Sequence, residues 1–368
     1  MEGRAAYRSR VRGCLLGGAI GDALGYPVEF LPIGRIREAY GPHGVTDLVP
    51  GEQGLVGRIS DDTQMTLFTA EGLVEAYVHD RKVDASDHKR MGNVSVRWSE
   101  TMLRAYERWL RTQSLPGPGA TPPSSGPADG LVTEEWLYAR RAPGNACLSG
   151  VAHGYAPDQW LPFDGRPGAV NPDSKGCGAV MRSAPFGLIA ENDHHAFRMA
   201  ACAAQITHGH PTGYYAAGAF AAIITNLVEG DSMEAAILRA MRVLAAYPGH
   251  EETTAALERA LAEAADRSSA SPERLERLGA GWVAEEALAI AVFCALYPGR
   301  IETSLLRAVN HSGDSDSTGA ICGNLLGAAY GDHTLPHEWI QRVEGRARIA
   351  VLADDLGALQ ISGGLLGP

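Results

Sequence analysis

The stretch from Tyr7 to Leu24 has the apolar spacing of a helix, yet it carries Gly13, Gly17, Gly18, Ala19 and Gly21. Glycine inside a helix costs about 1 kcal/mol relative to alanine. A helix this rich in it implies a second backbone lying against it, filling the space that side chains would otherwise take. Helices whose axes approach closely are therefore the first expectation for this chain. The remainder agrees. Apolar residues recur at helical spacing, with abundant alanine, over Met65–Val78, Val94–Arg111, Tyr214–Val228, Met233–Ala246, Glu251–Ala264 and Trp282–Leu296, and no period-two alternation runs longer than a few residues. The expected fold is all-α: a compact multi-helix domain, one domain over residues 1–368, with a Pro/Gly/Ser-rich surface loop at about 113–131. Gly41 to Gly57 is expected to be irregular loop.

The 368 residues are enough for a large core. A net charge of −11 without a basic run argues against nucleic acid or a membrane surface as partner. Arg4, Arg8, Arg10 and Arg12 precede the apolar run Gly13–Ile20 and imitate a signal peptide, but Asp22 cuts that run short, so an amphipathic N-terminal helix is expected instead. No apolar run reaches membrane-spanning length. The six cysteines stand singly, without a C-x-x-C pair, as reduced thiols of a cytoplasmic protein do.

Two acidic clusters open apolar helices. Ser60-Asp61-Asp62 precedes one, and Asp314-Ser315-Asp316-Ser317, flanked by Gly313 and Gly319, precedes another. Serine and aspartate at a first turn satisfy free N–H groups and complement the helix dipole, so capping alone accounts for either cluster taken singly. Paired carboxylates repel, however, and ask for a positive counter-charge. If the two helix starts meet, each completes the other's coordination. With Glu29 they make five carboxylates and two hydroxyls, hard oxygen donors suited to two divalent cations.

Two loops have glycine and basic character. Asp173-Ser174-Lys175-Gly176-Cys177-Gly178 leads toward Arg182, and a glycine turn of this kind is either an ordinary loop or a set of N–H groups open to an anion. Thr207-His208-Gly209-His210-Pro211 suggests zinc, but no third soft ligand has a recognisable spacing, and a histidine donating to a phosphate is equally plausible. Trp282 is either a core aromatic or a surface on which a base stacks.

Taken together, GCLLGGAIGDALGYPVEF, ISDDTQMTLFTAEGL, SKGCGAVMRSAP, THGHPTGYYAAGAF, GWVAEEALAIA and HSGDSDSTGAICGNLLGAAYG resemble the ADP-ribosylglycohydrolases, typified by ADP-ribosylarginine hydrolase and the dinitrogenase reductase-activating glycohydrolase. The resemblance spans nearly the whole chain in the family's order. It implies an all-α ADP-ribosylglycohydrolase-type domain with a binuclear magnesium or manganese centre in a central cleft. By the same resemblance, Ser60, Asp61, Asp62, Asp314, Asp316, Ser317 and Glu29 are the metal ligands, Glu29 being the mobile one. Asp61, Asp62 and Glu29 are expected to be the catalytic carboxylates, and Ser174, Lys175, Gly176, Cys177, Gly178, His208 and Ser315 are expected to contact the substrate. Serine stands at positions 60 and 317 where many relatives have threonine, which retains the donor oxygen. The implied partners are an arginine-linked ADP-ribosylated protein and ADP-ribose, with the enzyme a monomer. The rivals are hydrolysis of serine-linked or nucleic-acid-linked ADP-ribose, and a silent ADP-ribose-binding protein.

Overall fold

Alanine-rich segments without period-two alternation satisfy their backbone hydrogen bonds internally as helices, and most of this chain does so. A computed structural model describes residues 2–51, 54–86, 98–119, 127, 130–266, 270–297 and 299–362. Among them there is no strand, only the isolated bridges Pro50–Val56 and Gly176–Val283. The helices are α1 (Glu2–Gly25), α2 (Ile33–Tyr40), α3 (Asp61–Ser86), α4 (Trp98–Ser114), α5 (Asn145–His153), α6 (Ala184–Ile189), α7 (Asp193–Ala204), α8 (Pro211–Glu229), α9 (Met233–Leu244), α10 (Glu251–Ala265), α11 (Pro272–Leu275), α12 (Ala284–Leu296), α13 (Ile301–Val309), α14 (Ser315–Tyr330), α15 (His337–Arg342) and α16 (Arg346–Ser362).

The partner that the glycines of α1 require is α14. Gly13, Gly17, Gly21 and Gly25 recur every fourth residue and face Gly327, Gly323, Gly319 and Ser315, which recur every fourth residue in the opposite direction. At each step a methyl group placed on the α1 glycine would run into main-chain atoms of α14. The two backbones thus touch along four turns, antiparallel, and small residues in the i±4 rows are what permit it. Asn324 fixes the register by donating from Nδ2 to the Cys14 carbonyl at 2.7 Å.

This pairing decides where the chemistry sits. The C-terminal end of α1, with Glu29 just beyond it, is brought to the N-terminal end of α14. Asp22, one turn before the end of α1 and fully buried, accepts hydrogen bonds from the Ser60 and Thr63 backbone N–H groups at 2.9 and 3.1 Å and from the Thr63 hydroxyl at 2.5 Å. These bonds satisfy N–H groups at the start of α3 that have no intrahelical partner. Three helix ends therefore converge on one point.

Helix α8 runs through the middle, buried at every residue from Pro211 to Val228. A helix apolar all round belongs in a core, and its entry segment, Thr207–His210, is drawn inside with it. The buried apolar side chains form one cluster reaching from Tyr7 to Leu356.

Several boundaries differ from the sequence-based expectation. α3 starts at Asp61 and not Met65, so both carboxylates lie inside its first turn. α12 starts at Ala284, because Val283 is extended and bridges Gly176, with the Trp282 carbonyl accepting the Cys177 N–H. Part of the expected Val94–Arg111 helix, and part of the loop at 113–131, lies outside the described residues. No helix among the described residues is long and apolar enough to cross a membrane.

Candidate metal and substrate site

At the meeting of α1, α3 and α14 one carboxylate oxygen each from Glu29, Asp314 and Asp316 lies within 4.8 Å of the other two, and all three residues are buried. Asp61 and Asp62 are 4% and 3% exposed at the start of α3, and Ser60, fully buried, donates from Oγ toward Asp62 at 3.4 Å. Asp314 is also the N-cap of α14, accepting from the Ser317 N–H at 3.4 Å, while Asp316 accepts from the same N–H at 2.9 Å. Capping and clustering thus coexist, and capping does not exhaust these side chains. Glu29 Oε2 and Asp62 Oδ1 are buried and, among the described residues, have no hydrogen-bond partner. A buried carboxylate oxygen without a partner carries a desolvation cost of several kcal/mol, unless a cation compensates it.

The protonation behaviour has the same cause. Burial, and then repulsion from Asp316 and Asp314, pushes Glu29 up to about 11. Burial and then Asp316 raise Asp22 to about 7 and lift Asp61 and Asp62 well above the carboxylate range. Asp314 is raised likewise by burial and by Asp316. Hard oxygen donors too close to ionise together, with no ion-pair partner among the described residues, have the chemistry of a divalent-cation site.

Beside the carboxylates lies the 174–178 turn. It is pinned to the start of α12 by Cys177 N–H donating to the Trp282 carbonyl at 3.2 Å and Ala284 N–H donating to the Lys175 carbonyl at 2.8 Å. The Cys177 thiol lies 2.8 Å from Asp314 Oδ2, so turn and carboxylates are contiguous. Ser174 holds the following loop by accepting the His210 N–H on its carbonyl at 3.2 Å. Gly176 and Gly178 both sit on the Nε2 edge of the His208 ring: a methyl group on either would come 3.3 or 3.4 Å from that nitrogen. His210, by contrast, caps α8, its Nδ1 accepting from the Thr212 N–H at 3.2 Å.

Two basic side chains are placed differently from what the sequence suggests. The Lys175 ammonium is shared between Glu252 and Glu285, 2.5 Å from each, so its charge is already countered. Arg182 lies beneath the turn, 1% exposed. Ser315 is fully buried, its hydroxyl directed at the Gly313 carbonyl 3.4 Å away and its own carbonyl against Gly25. At the rim the exposed ring of Phe30 stacks on half-exposed Trp282, centroids 5.6 Å apart and planes 15° from parallel.

Asp22 is the residue that sequence reasoning passed over, taking it only as the end of an apolar run. The glycine at position 21, touching α14, is the one sequence signal that this turn of α1 is buried. Asp22→Ala strands the N–H groups of Ser60 and Thr63. It is expected to lower stability by about 2–4 kcal/mol in urea denaturation and to weaken magnesium binding in the same titrated samples. Unchanged magnesium affinity in a folded variant would show that Asp22 does not position Ser60–Asp62.

The sequence profile of the ADP-ribosylglycohydrolase family matches residues 3–364. An uncharacterized protein of Archaeoglobus fulgidus is 29% identical over 357 residues, 96% of this chain and 97% of that one. The ADP-ribosylarginine hydrolase Tri1 of Pseudomonas putida is 26% identical over 350 residues, 94% of this chain and 77% of its own length. Among solved structures, an ADP-ribosylglycohydrolase-related protein complex superposes with a TM-score of 0.66 at 24% identity, covering 97% of this chain and 99% of its own, a likeness of fold. A profile match over nearly the full length, on an all-α frame that gathers the acidic residues of distant segments, places this chain in the ADP-ribosylglycohydrolase family.

Proposed function

We propose that this chain hydrolyses the N-glycosidic bond between ADP-ribose and arginine side chains of modified proteins, as a monomeric cytoplasmic enzyme with two bound divalent cations, Mg2+ or Mn2+. The observation that carries the reading is the convergence of Glu29, Asp314 and Asp316 within 4.8 Å, beside Asp61 and Asp62. The similarity, over 94% of this chain, to a protein named ADP-ribosylarginine hydrolase supports the linkage.

The donor set fits the cations: the oxygens are hard, buried and partly without partners. Glu29, Ser60, Asp61, Asp62, Asp314, Asp316 and Ser317 would hold them. Bound there, divalent cations supply positive charge to the ribose hydroxyls and acidify water.

The remaining work falls to the chain's own groups. Cleavage of a glycosidic bond passes through a state with positive charge on the anomeric carbon, and the massed carboxylates stabilise that charge electrostatically. The Asp62 carboxylate takes a proton from the attacking water as the water oxygen bonds to that carbon. Asp61 is less available, since its carboxylate accepts the Gly144 N–H. The glycosidic electron pair leaves with the guanidine nitrogen. A carboxylate that holds a cation is a poor acid, so the leaving group must depart without help. An ADP-ribosylated guanidinium already carries its proton and leaves as neutral guanidine, whereas a serine ether needs an acid.

Incubation with arginine-linked and serine-linked ADP-ribosyl peptides, with and without magnesium, distinguishes the linkages by mass spectrometry. The expected outcome is cation-dependent release from the arginine peptide, with the serine peptide slower by about 100-fold or more, the scale of an unassisted leaving group. Equal rates, or release in EDTA, would overturn the proposal.

A further inference from the structure

Arg182 is fully buried, yet among the described residues no carboxylate lies within ion-pair distance of it. Its guanidinium sits 4.4 Å over the Tyr106 ring, donates to the Gly178 carbonyl at 3.1 Å, and donates from its second terminal nitrogen to Thr207 Oγ1 at 2.6 Å. Thr207 Oγ1 in turn lies 2.8 Å from His208 Nδ1 and 3.4 Å from the Ala204 carbonyl.

A hydroxyl has one proton to give. With Arg182 donating to the oxygen, that proton goes to the nearer acceptor, which makes Nδ1 of His208 the lone-pair nitrogen. The opposite arrangement sets Arg182 and an Nδ1–H both against one oxygen and leaves its proton only the distant carbonyl. His208 is 2% exposed, and burial followed by repulsion from Arg182 pulls its pKa down to about 3, so the ring keeps a single proton at any working pH. Among the described residues Nε2 has no hydrogen-bond partner, and it faces Gly176 and Gly178.

We infer that Arg182, acting through the Thr207 hydroxyl, locks His208 in the tautomer with its proton on Nε2, making that nitrogen a standing donor to a phosphoryl or hydroxyl oxygen lodged against the Gly176–Gly178 turn. Arg182 and Thr207 are positioning residues here, and His208 is the group that touches the ligand. The ligand half of this inference rests on the functional reading above; the tautomer half does not. The arrangement also gives the buried Arg182 guanidinium a role beneath the turn. It acts on an oxygen ligand through a fixed dipole, one that neither titrates nor draws in free anions as an exposed lysine would.

Nitrogen NMR of the metal-free protein labelled with [15N]histidine, with His208→Gln to assign the resonance, reads the tautomer directly. The wild-type chain is expected to show Nε2–H. Thr207→Val removes the relay and is expected to shift His208 toward Nδ1–H and to weaken ADP-ribose binding by about tenfold or more, while Thr207→Ser restores both. Arg182→Lys, if folded, shifts the tautomer as well. An Nδ1–H resonance in the wild-type chain overturns the inference, as does a Thr207→Val protein unchanged in tautomer and affinity. Wild-type protein that shows Nε2–H but binds no ADP-ribose even with magnesium refutes the functional reading and leaves the relay standing.

Discussion

Asp316→Asn is expected to make the metal-free protein melt above the metal-free wild-type chain at pH 8 and, in magnesium, to lower turnover by about 10³-fold or more, the scale of lost electrostatic stabilisation at a catalytic centre. Activity and stability move in opposite directions because of where this carboxylate sits. After burial itself, Asp316 is the foremost charge acting on Asp22, Glu29, Asp61, Asp62 and Asp314. Asparagine keeps an oxygen to accept the Ser317 N–H but removes the charge that all five feel. The pH dependence has a definite sign. These carboxyls are raised in the folded protein above their unfolded values, so the folded state holds more protons, and stability falls as pH rises above about 4. The loss continues through about 7 for Asp22 and toward about 11 for Glu29, at roughly 1.4 kcal/mol per pH unit for each proton retained. Saturating magnesium should flatten or reverse the slope, since a cation favours the ionised forms. Thermal melts between pH 5 and 8, in EDTA and in magnesium, measure this. A wild-type chain equally stable at both ends in EDTA, with no gain from magnesium, would remove the basis for a cation site.

Gly323→Ala is the second large effect, and it acts far from any titratable group. The added methyl would overlap the carbonyl oxygen of Gly17, a backbone atom that cannot swing aside. Relief requires α1 and α14 to separate, opening the contact along its whole length, so the cost is expected to reach about 4 kcal/mol or more and expressed protein to be largely insoluble. Gly34→Ala in α2 is the control: nothing lies within 4 Å of the added carbon, and the change should raise stability by about 0.5–1 kcal/mol. Chemical denaturation of both variants tests the pair. Gly323→Ala at wild-type stability would mean that the two backbones do not touch.

How much of this was legible beforehand follows the range of the interactions. The long Ala-rich helices show in local periodicity, and α8, α9 and α10 lie close to where that periodicity puts them. The glycines of α1 announce a close partner but do not name it, because the matching row on α14 begins some three hundred residues later and signals only by its own four-residue spacing. The acidic clusters were recognisable as hard donors, and the structure brings Glu29, Asp314 and Asp316 together. Asp22 and Lys175 were not readable. One is defined by Ser60 and Thr63 across two helices, the other by Glu252 and Glu285 from later segments. Short helices such as α2 and α5 went unnoticed because a segment of eight or nine residues gives too few turns to reveal a period.

The contact of α1 with α14 divides the molecule into a part that cannot drift and a part that can. With no side chain between the two main chains, the spine has no room for a side chain at most of its steps, and the carboxylate spacing is tied to that contact. The exposed stack of Phe30 on Trp282 is under no such restriction. An engineer seeking a different leaving group would leave the spine untouched and diversify that aromatic pair.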